Sequence, residues 1–190
     1  TAVGDSVIVD LTGQITFDFN PTVDRIRVQT SNGKNFRFNP NNGAIAATDG
    51  SLKFAASDVN AAASASASTG AYTNSTANST NTSLYVYDGL LNVLALQSPP
   101  NDGVLNTIGS TGIVANAAMT TLGMDILYNA STQSNSAYLN ANIGSATNDN
   151  FYTLNLSTGE ATLVGSIGLG IPVRDIAAFI PVANNPAPDG

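Results

Sequence analysis

Apolar side chains in this chain recur at every second position, in short bursts broken by Asn, Gly and Pro. In residues 17–19 Phe17 and Phe19 share one face of an extended segment and Asp18 takes the other. In residues 25–29 Ile26 and Val28 alternate with Arg25 and Arg27, and in residues 35–38 Phe36 and Phe38 alternate with Arg37. A period of two is strand geometry, because successive side chains leave opposite faces of an extended backbone. Asn20-Pro21, Ser31-Asn32-Gly33 and Asn39-Pro40-Asn41-Asn42-Gly43 separate the bursts. They are turn signals, since Asn and Gly tolerate positive φ and Pro fixes φ at a turn's first corner. The stretch 17–43 therefore predicts three short strands joined by tight turns.

The same layout returns twice. The phrase Phe17-Asp18-Phe19-Asn20 reappears as Ala71-Tyr72-Thr73-Asn74 and as Ile126-Leu127-Tyr128-Asn129, its closing Asn 54 and then 55 residues further on. Downstream of each lies an alternating strand closed by Asn or Asp and a turn: residues 35–39, 83–88 and 151–155. A further strand follows each, at 44–47, 91–96 and 161–167. About four antiparallel strands in a unit of about 50 residues is the spacing of a propeller blade. The expectation is an all-β, β-propeller-like fold of about three four-stranded units with half-units at both termini; a sandwich or solenoid is the competitor. Residues 55–68, rich in Ala and Ser, and residues 112–119 read as connections.

At the ends, Thr1 to Val7 resembles Thr162 to Ile167, the last strand of a unit, and Asp175 to Pro181 resembles a first strand. Thr1, Val3 and Val7 on one side, and Ile176 and Phe179 on the other, are expected to be assembly strands. They either pair with each other or complete the sheet of a neighbouring molecule. Residues 1–181 read as a single domain and residues 182–190, rich in Pro and Asn, as an extension.

Composition narrows the function classes. The 190 residues are 43% hydrophobic and only 10% charged, with a net charge of −7 and six Lys and Arg in total. This is a globular balance with no apolar run long enough to span a bilayer. So weak a basic footprint argues against nucleic acid and anionic membrane as partners. The chain has no Cys, His or Trp, which removes disulfides, thiolate and imidazole metal sites and the Ser-His-Asp and Cys-His constellations. An Asn, Ser and Thr surface is common in exported proteins, and an extracellular or cell-surface location is expected.

Three of the four Arg, Arg25, Arg27 and Arg37, fall close to Asp18 and Asp24. A structural salt-bridge network is the plainer reading of these five residues, and a site for a substrate carboxylate or sugar the sharper one. No cofactor is expected, calcium alone finding suitable oxygen ligands in Asp18, Asn20 and Asp24, in Asn148-Asp149-Asn150 and in Asn101-Asp102-Gly103. None has EF-hand spacing, and side chains folding onto their own backbone explain the same pattern. With one Glu and twelve Asp, mostly beside turns, no carboxylate pair stands out, so no catalytic residue is assigned and no enzyme is expected.

Asn74, Asn78, Asn81, Asn129 and Asn155 open N-glycosylation sequons, three of them in one Ser/Thr-rich loop. Composition alone produces such triplets, and O-linked sugar on the same loop is an equal reading. The Phe and Tyr residues at strand period are expected in the core rather than on a carbohydrate platform.

FDFNPTVDRIRV (17–28), NFRFNPNNGAIAATDG (35–50), GAYTN (70–74), QSPPNDGVLNTIG (97–109) and NFYTLNLSTGEATLVGSIG (150–168) together resemble a bacterial secreted family known as a domain of unknown function with propeller-like repeats. The resemblance implies export and a propeller-like fold, and it implies no activity. Such proteins usually carry a further repeat or two before the FDFNPTVD phrase, absent here, which leaves ring closure open. The expected function is a structural or adhesive extracellular protein, a self-assembling filament or surface-layer subunit whose terminal strands complete a neighbour's sheet. The alternative is a monomeric module binding carbohydrate or calcium. Copies of itself and extracellular glycans are the expected partners.

Overall fold

The computed structural model describes residues 9–116, 121–144 and 146–179, and regular structure there is β-strand apart from one short 3-10 turn at Pro100–Asp102. The first sheet is the antiparallel run β1 (Ile15–Asn20), β2 (Arg25–Thr30), β3 (Asn35–Phe38) and β4 (Ile45–Thr48). The second contains β5 (Lys53–Phe54), β6 (Ala67–Tyr72), β7 (Leu84–Asp88), β8 (Val93–Gln97) and β9 (Val104–Ser110). Here β6 to β9 are antiparallel neighbours in sequence order and β5 lies parallel to the outer edge of β9. The third is β10 (Leu122–Asn129), β11 (Ser134–Ala141), β12 (Asn150–Leu154) and β13 (Ala161–Ser166). The chain is all-β, and its described residues form three sheets, each with a four-stranded antiparallel run, as the repeat predicts. No described helix is long and apolar enough to cross a membrane.

Asparagine makes the turns. After β1 the amide and hydroxyl of Thr22 both donate to Asn20 Oδ1, at 2.9 and 2.8 Å. Ser131 N does the same to Asn129 Oδ1 after β10, and Ser157 N to Asn155 Oδ1 after β12, each at 2.9 Å. These are side chains standing in for a backbone turn acceptor.

One strand equivalence is corrected. Residues 83–88 match residues 35–39 and 151–155 by pattern, yet β7 pairs directly with β6 and is the second strand of its unit, whereas β3 and β12 are third strands. The cause is the connection after the leading strand. It is a tight turn in the first and third units, while in the second it is the loop between Tyr72 and Leu84, which displaces the pattern downstream. The unit's fourth strand is accordingly β9.

Side chains tie the three leading strands together. Tyr72 N in β6 donates to Asp18 Oδ2 in β1 at 2.6 Å, and Met124 N in β10 donates to Thr69 Oγ1 in β6 at 2.8 Å. Ala178 N donates to Asp125 Oδ2 in β10 at 2.6 Å. Residues 175–179 hold no ladder strand, but they sit against β10 in the manner in which β6 sits against β1. Ile176 and Phe179 lie in this segment; Thr1, Val3, Val7 and residues 182–190 lie outside the described residues.

The front of the second sheet faces the first and its back faces the third, and the faces of the other two sheets are called front and back in the same sense. The back of the second sheet meets the front of the third in an apolar core of Ala71, Tyr87, Leu94, Met124, Ile126, Leu139, Tyr152 and Leu154. At both joints glycine permits backbone to cross backbone. A Cβ on Gly103 (φ +69°) would lie 2.3 Å from the carbonyl oxygen of Gly50, and one on Gly159 (φ +83°) 2.6 Å from that of Gly109.

Candidate functional site

The back of the first sheet is polar, and it is buried. Alternation along β1, β2 and β3 puts Thr16, Asp18, Arg27, Gln29, Asn35 and Arg37 on this face, against the front of the second sheet. Arg27 is 3% exposed and makes four hydrogen bonds. Its Nε donates to Tyr72 Oη at 2.7 Å, Nη1 to Asn35 Oδ1 at 2.6 Å and to Asp49 Oδ2 at 2.9 Å, and Nη2 to Asn101 Oδ1 at 2.7 Å. Arg37 grips the same Asp49 with two parallel bonds of 2.8 Å. Burial pushes the Asp49 carboxyl up, but the bonds from Arg37 and Arg27 outweigh it and hold the group below the usual carboxylate range. Gln29 Nε2 donates to Gln97 Oε1 at 2.6 Å and so spans the joint.

The structure thus brings two of the five predicted network residues together, Arg27 and Arg37, around a carboxylate that the sequence did not single out. Asp18, paired across strands with Arg27, turns instead to backbone: it accepts from Tyr72 N and Phe19 N. Burial is the main reason its carboxyl is pushed up to about 6, and nearby Asp125 and Asp175 add to it. Asp24 accepts from Asn41 Nδ2 at 2.6 Å, and Arg25 donates to the carbonyl of Asp24. Arg27 spends its donors inside the protein, so this cluster holds two sheets together and offers little to a ligand.

Asp58, Asp88 and Asp149 are likewise spent inside the protein. Asp58 accepts from Thr107 N and Oγ1, Asp88 from the amides of Ser66, Leu90 and Leu91, and Asp149 from Thr121 Oγ1 and Val173 N. They staple loops to strands. Asn20 is spent on its turn. Among the described residues no three acidic side chains gather in a way that would hold a metal ion.

Three surface features remain. The first is the front of the first sheet, where the register sets Phe17 beside Val28 and Phe36, and Phe19 beside Ile26, Phe38 and Ile45. Val28 and Phe36 are buried at its centre, while Ile15, Phe17, Phe19 and Ile45 stand exposed, the two β1 phenylalanines at 54% each. Their rings form an edge-to-face pair 5.8 Å apart. The strand period predicts that these aromatics share a face. It says nothing about what covers that face, and the expectation that they lie in the core fails here while holding for Tyr72, Tyr87 and Tyr152.

The second feature is a groove of about 390 Å³ on the back of the third sheet, lined among others by Ser136, Tyr138, Thr153 and Leu156. Tyr138 stacks on Phe151 beside it, centroids 5.4 Å apart. The third is a cavity of about 530 Å³ where the leading segments of all the repeats converge: Gly13 to Ile15, Ser68, Thr121 to Leu122 and Arg174 to Asp175 line it. No repeat taken singly announces either hollow.

The sequons differ in access. Asn74 is tied down, donating to Asn81 Oδ1 at 2.6 Å and accepting from Asn135; Asn129 and Asn155 are exposed and close turns. Asn78 is exposed at a turn with φ of 63°.

The family model for the domain of unknown function DUF4394 matches residues 1–177. The chain belongs to this family. No curated protein and no solved structure matches it, so family membership fixes kinship without supplying a reaction or a ligand.

Proposed function

We propose that this DUF4394 chain is a structural building block of an extracellular assembly, with its sheets standing as blades about an axis and copies joined through the faces left open at the two ends of the stack. The observation that carries the reading is the exposed apolar front of the first sheet. A monomer that leaves Ile15, Phe17, Phe19 and Ile45 in water forgoes roughly 25 cal/mol for each Å² of apolar surface it does not bury, and a contiguous patch of this kind marks an interaction surface. Asp18, Asp58 and Asp88 accept from backbone amides, and Arg27 and Arg37 are spent on Asp49. Strand completion is a compatible element of the same assembly, since residues 175–178 take the place of a leading strand with no ladder partner among the described residues.

Sedimentation velocity of the purified chain across a hundredfold range of concentration tests this. Mass-action growth beyond the monomer is expected, with regular polymers in negative-stain images of native material. A monomer at every concentration would sink the reading.

The convergent cavity favours a second reading, a module that binds a glycan where the leading strands meet. It predicts a monomer whose melting temperature rises with added oligosaccharide.

A further inference from the structure

We infer that the Phe17–Phe19 pair of one copy seats in the groove on the back of the third sheet of a second copy. The inference rests on the assembly reading above and names its contact. Within the chain, fronts pack on backs twice, the second sheet's front on the first sheet's back and the third's front on the second's back. After the third sheet the chain keeps the same direction, because Asn140 donates to Val173 O and Asp125 accepts from Ala178 N on that sheet's back. Two faces of this series have no facing sheet among the described residues: the front of the first sheet, and the back of the third outside the part that residues 173–178 cover. A second copy supplies each with the face it lacks, by the packing rule the molecule already uses.

Shape and charge agree. The front projects an edge-to-face aromatic pair, and the back offers a hollow of about 390 Å³ flanked by the stacked rings of Tyr138 and Phe151. The segment 173–178 covers the inner end of that back, so the incoming phenylalanines land outside it, over Ser136, Tyr138 and Thr153. The projecting front of β1 carries no ionisable side chain, and the one carboxylate in the receiving rows, Asp125, already accepts from Ala178 N. The contact buries no unpaired charge, which would otherwise be costly. Aromatic anchors entering a pocket are the usual carriers of binding energy at interfaces. A head-to-tail contact of this kind extends into a chain of copies unless its rotation closes a ring.

The test uses two variants of the full chain. F17S/F19S removes the projection, and S136K/T153R fills the groove with charge. All four positions are exposed, so folding should persist, as far-UV circular dichroism would verify. Each variant alone should associate at least about 30-fold more weakly than the wild type, the loss expected of an interface anchor. Mixed in equal amounts they should form a 1:1 dimer and stop there, because one good front and one good groove remain. If S136K/T153R still associates like the wild type, the front meets something other than the groove and the inference is overturned, as it is if the mixture stays monomeric while the wild type assembles. A wild type that is itself monomeric defeats the assembly reading as well.

Discussion

The two internal joints of this molecule solve one packing problem with opposite chemistry. Between the second and third sheets, Tyr87 and Leu94 meet Met124, Ile126, Leu139 and Tyr152 in an apolar cluster, with Met124 N bonded to Thr69 Oγ1 beside it. Between the first and second, Arg27 bonds with Tyr72 and Asn101, Gln29 with Gln97 and Asn35 with the Pro100 carbonyl across the contact, while Asp49 holds Arg27 from its own side. An apolar joint tolerates small slips, since burial is non-directional. The polar one does not. Each of its donors must find its acceptor or strand a buried group, so it fixes the register of the first sheet on the second. The difference also places the molecule's apolar surface: with its polar back turned inward, the first sheet presents its apolar front outward.

The comparison breaks most sharply at Arg27. Arg27→Met keeps much of the volume but takes the donor from buried Tyr72 Oη, the closer of two donors from Asn35 Oδ1 and one of two ion-pair partners from Asp49, and should cost about 3 to 5 kcal/mol. Leu139→Ala in the apolar joint should cost about 2 to 5 kcal/mol through lost transfer energy and the cavity left behind. Urea unfolding at neutral pH reads both. A cost under about 1 kcal/mol for Arg27→Met would mean that the polar joint is incidental.

A finer cut comes at Gln29 and Gln97. Gln29→Leu alone strands Gln97 Oε1 and the hydroxyl of Thr16, a loss of about 1 to 3 kcal/mol. Adding Gln97→Leu removes the stranded partner, and Pro100 O, which loses the Gln97 donor, keeps the one from Asn35. The double variant should therefore recover most of the loss. Additive losses in a double-mutant cycle would show that the two amides act separately.

The sequence disclosed the strands better than the joints. Period-two alternation located β1, β2, β3, β7 and β12 and the near-constant spacing of Asn20, Asn74 and Asn129 exposed the repeat, because both signals are local. The second unit slipped by one strand since the loop after Tyr72 is longer than its counterparts, and β5 escaped because two residues carry no period. Asp49 was missed for a different reason. It belongs to no alternating run, and its role follows from Arg27 and Arg37, which reach it from β2 and β3. The exposure of Phe17 and Phe19 was hidden too, as alternation divides a strand into faces without saying which face is covered.

Acid should separate the joints in a way that substitutions do not. Asp49 titrates below the usual carboxylate range when folded, so the stability it confers is present above that range and is lost as pH falls through the folded value, loosening the polar joint. The apolar joint has no such term. Asp18 works in the opposite sense. Its carboxyl is pushed up to about 6, so the folded protein holds a proton that the unfolded chain releases, and stability rises as pH drops from about 6 toward about 4. The urea midpoint of the wild type should then climb on mild acidification, pass through a maximum and fall below about pH 4. Asp18→Asn should reduce the climb and leave the fall, with Asp88 and Asp175, also raised by burial, keeping the remainder of the slope. Midpoints that increase steadily from pH 4 to pH 6 in the wild type would show that Asp18 is solvated, and that the link between β1 and β6 is weaker than its 2.6 Å bond implies.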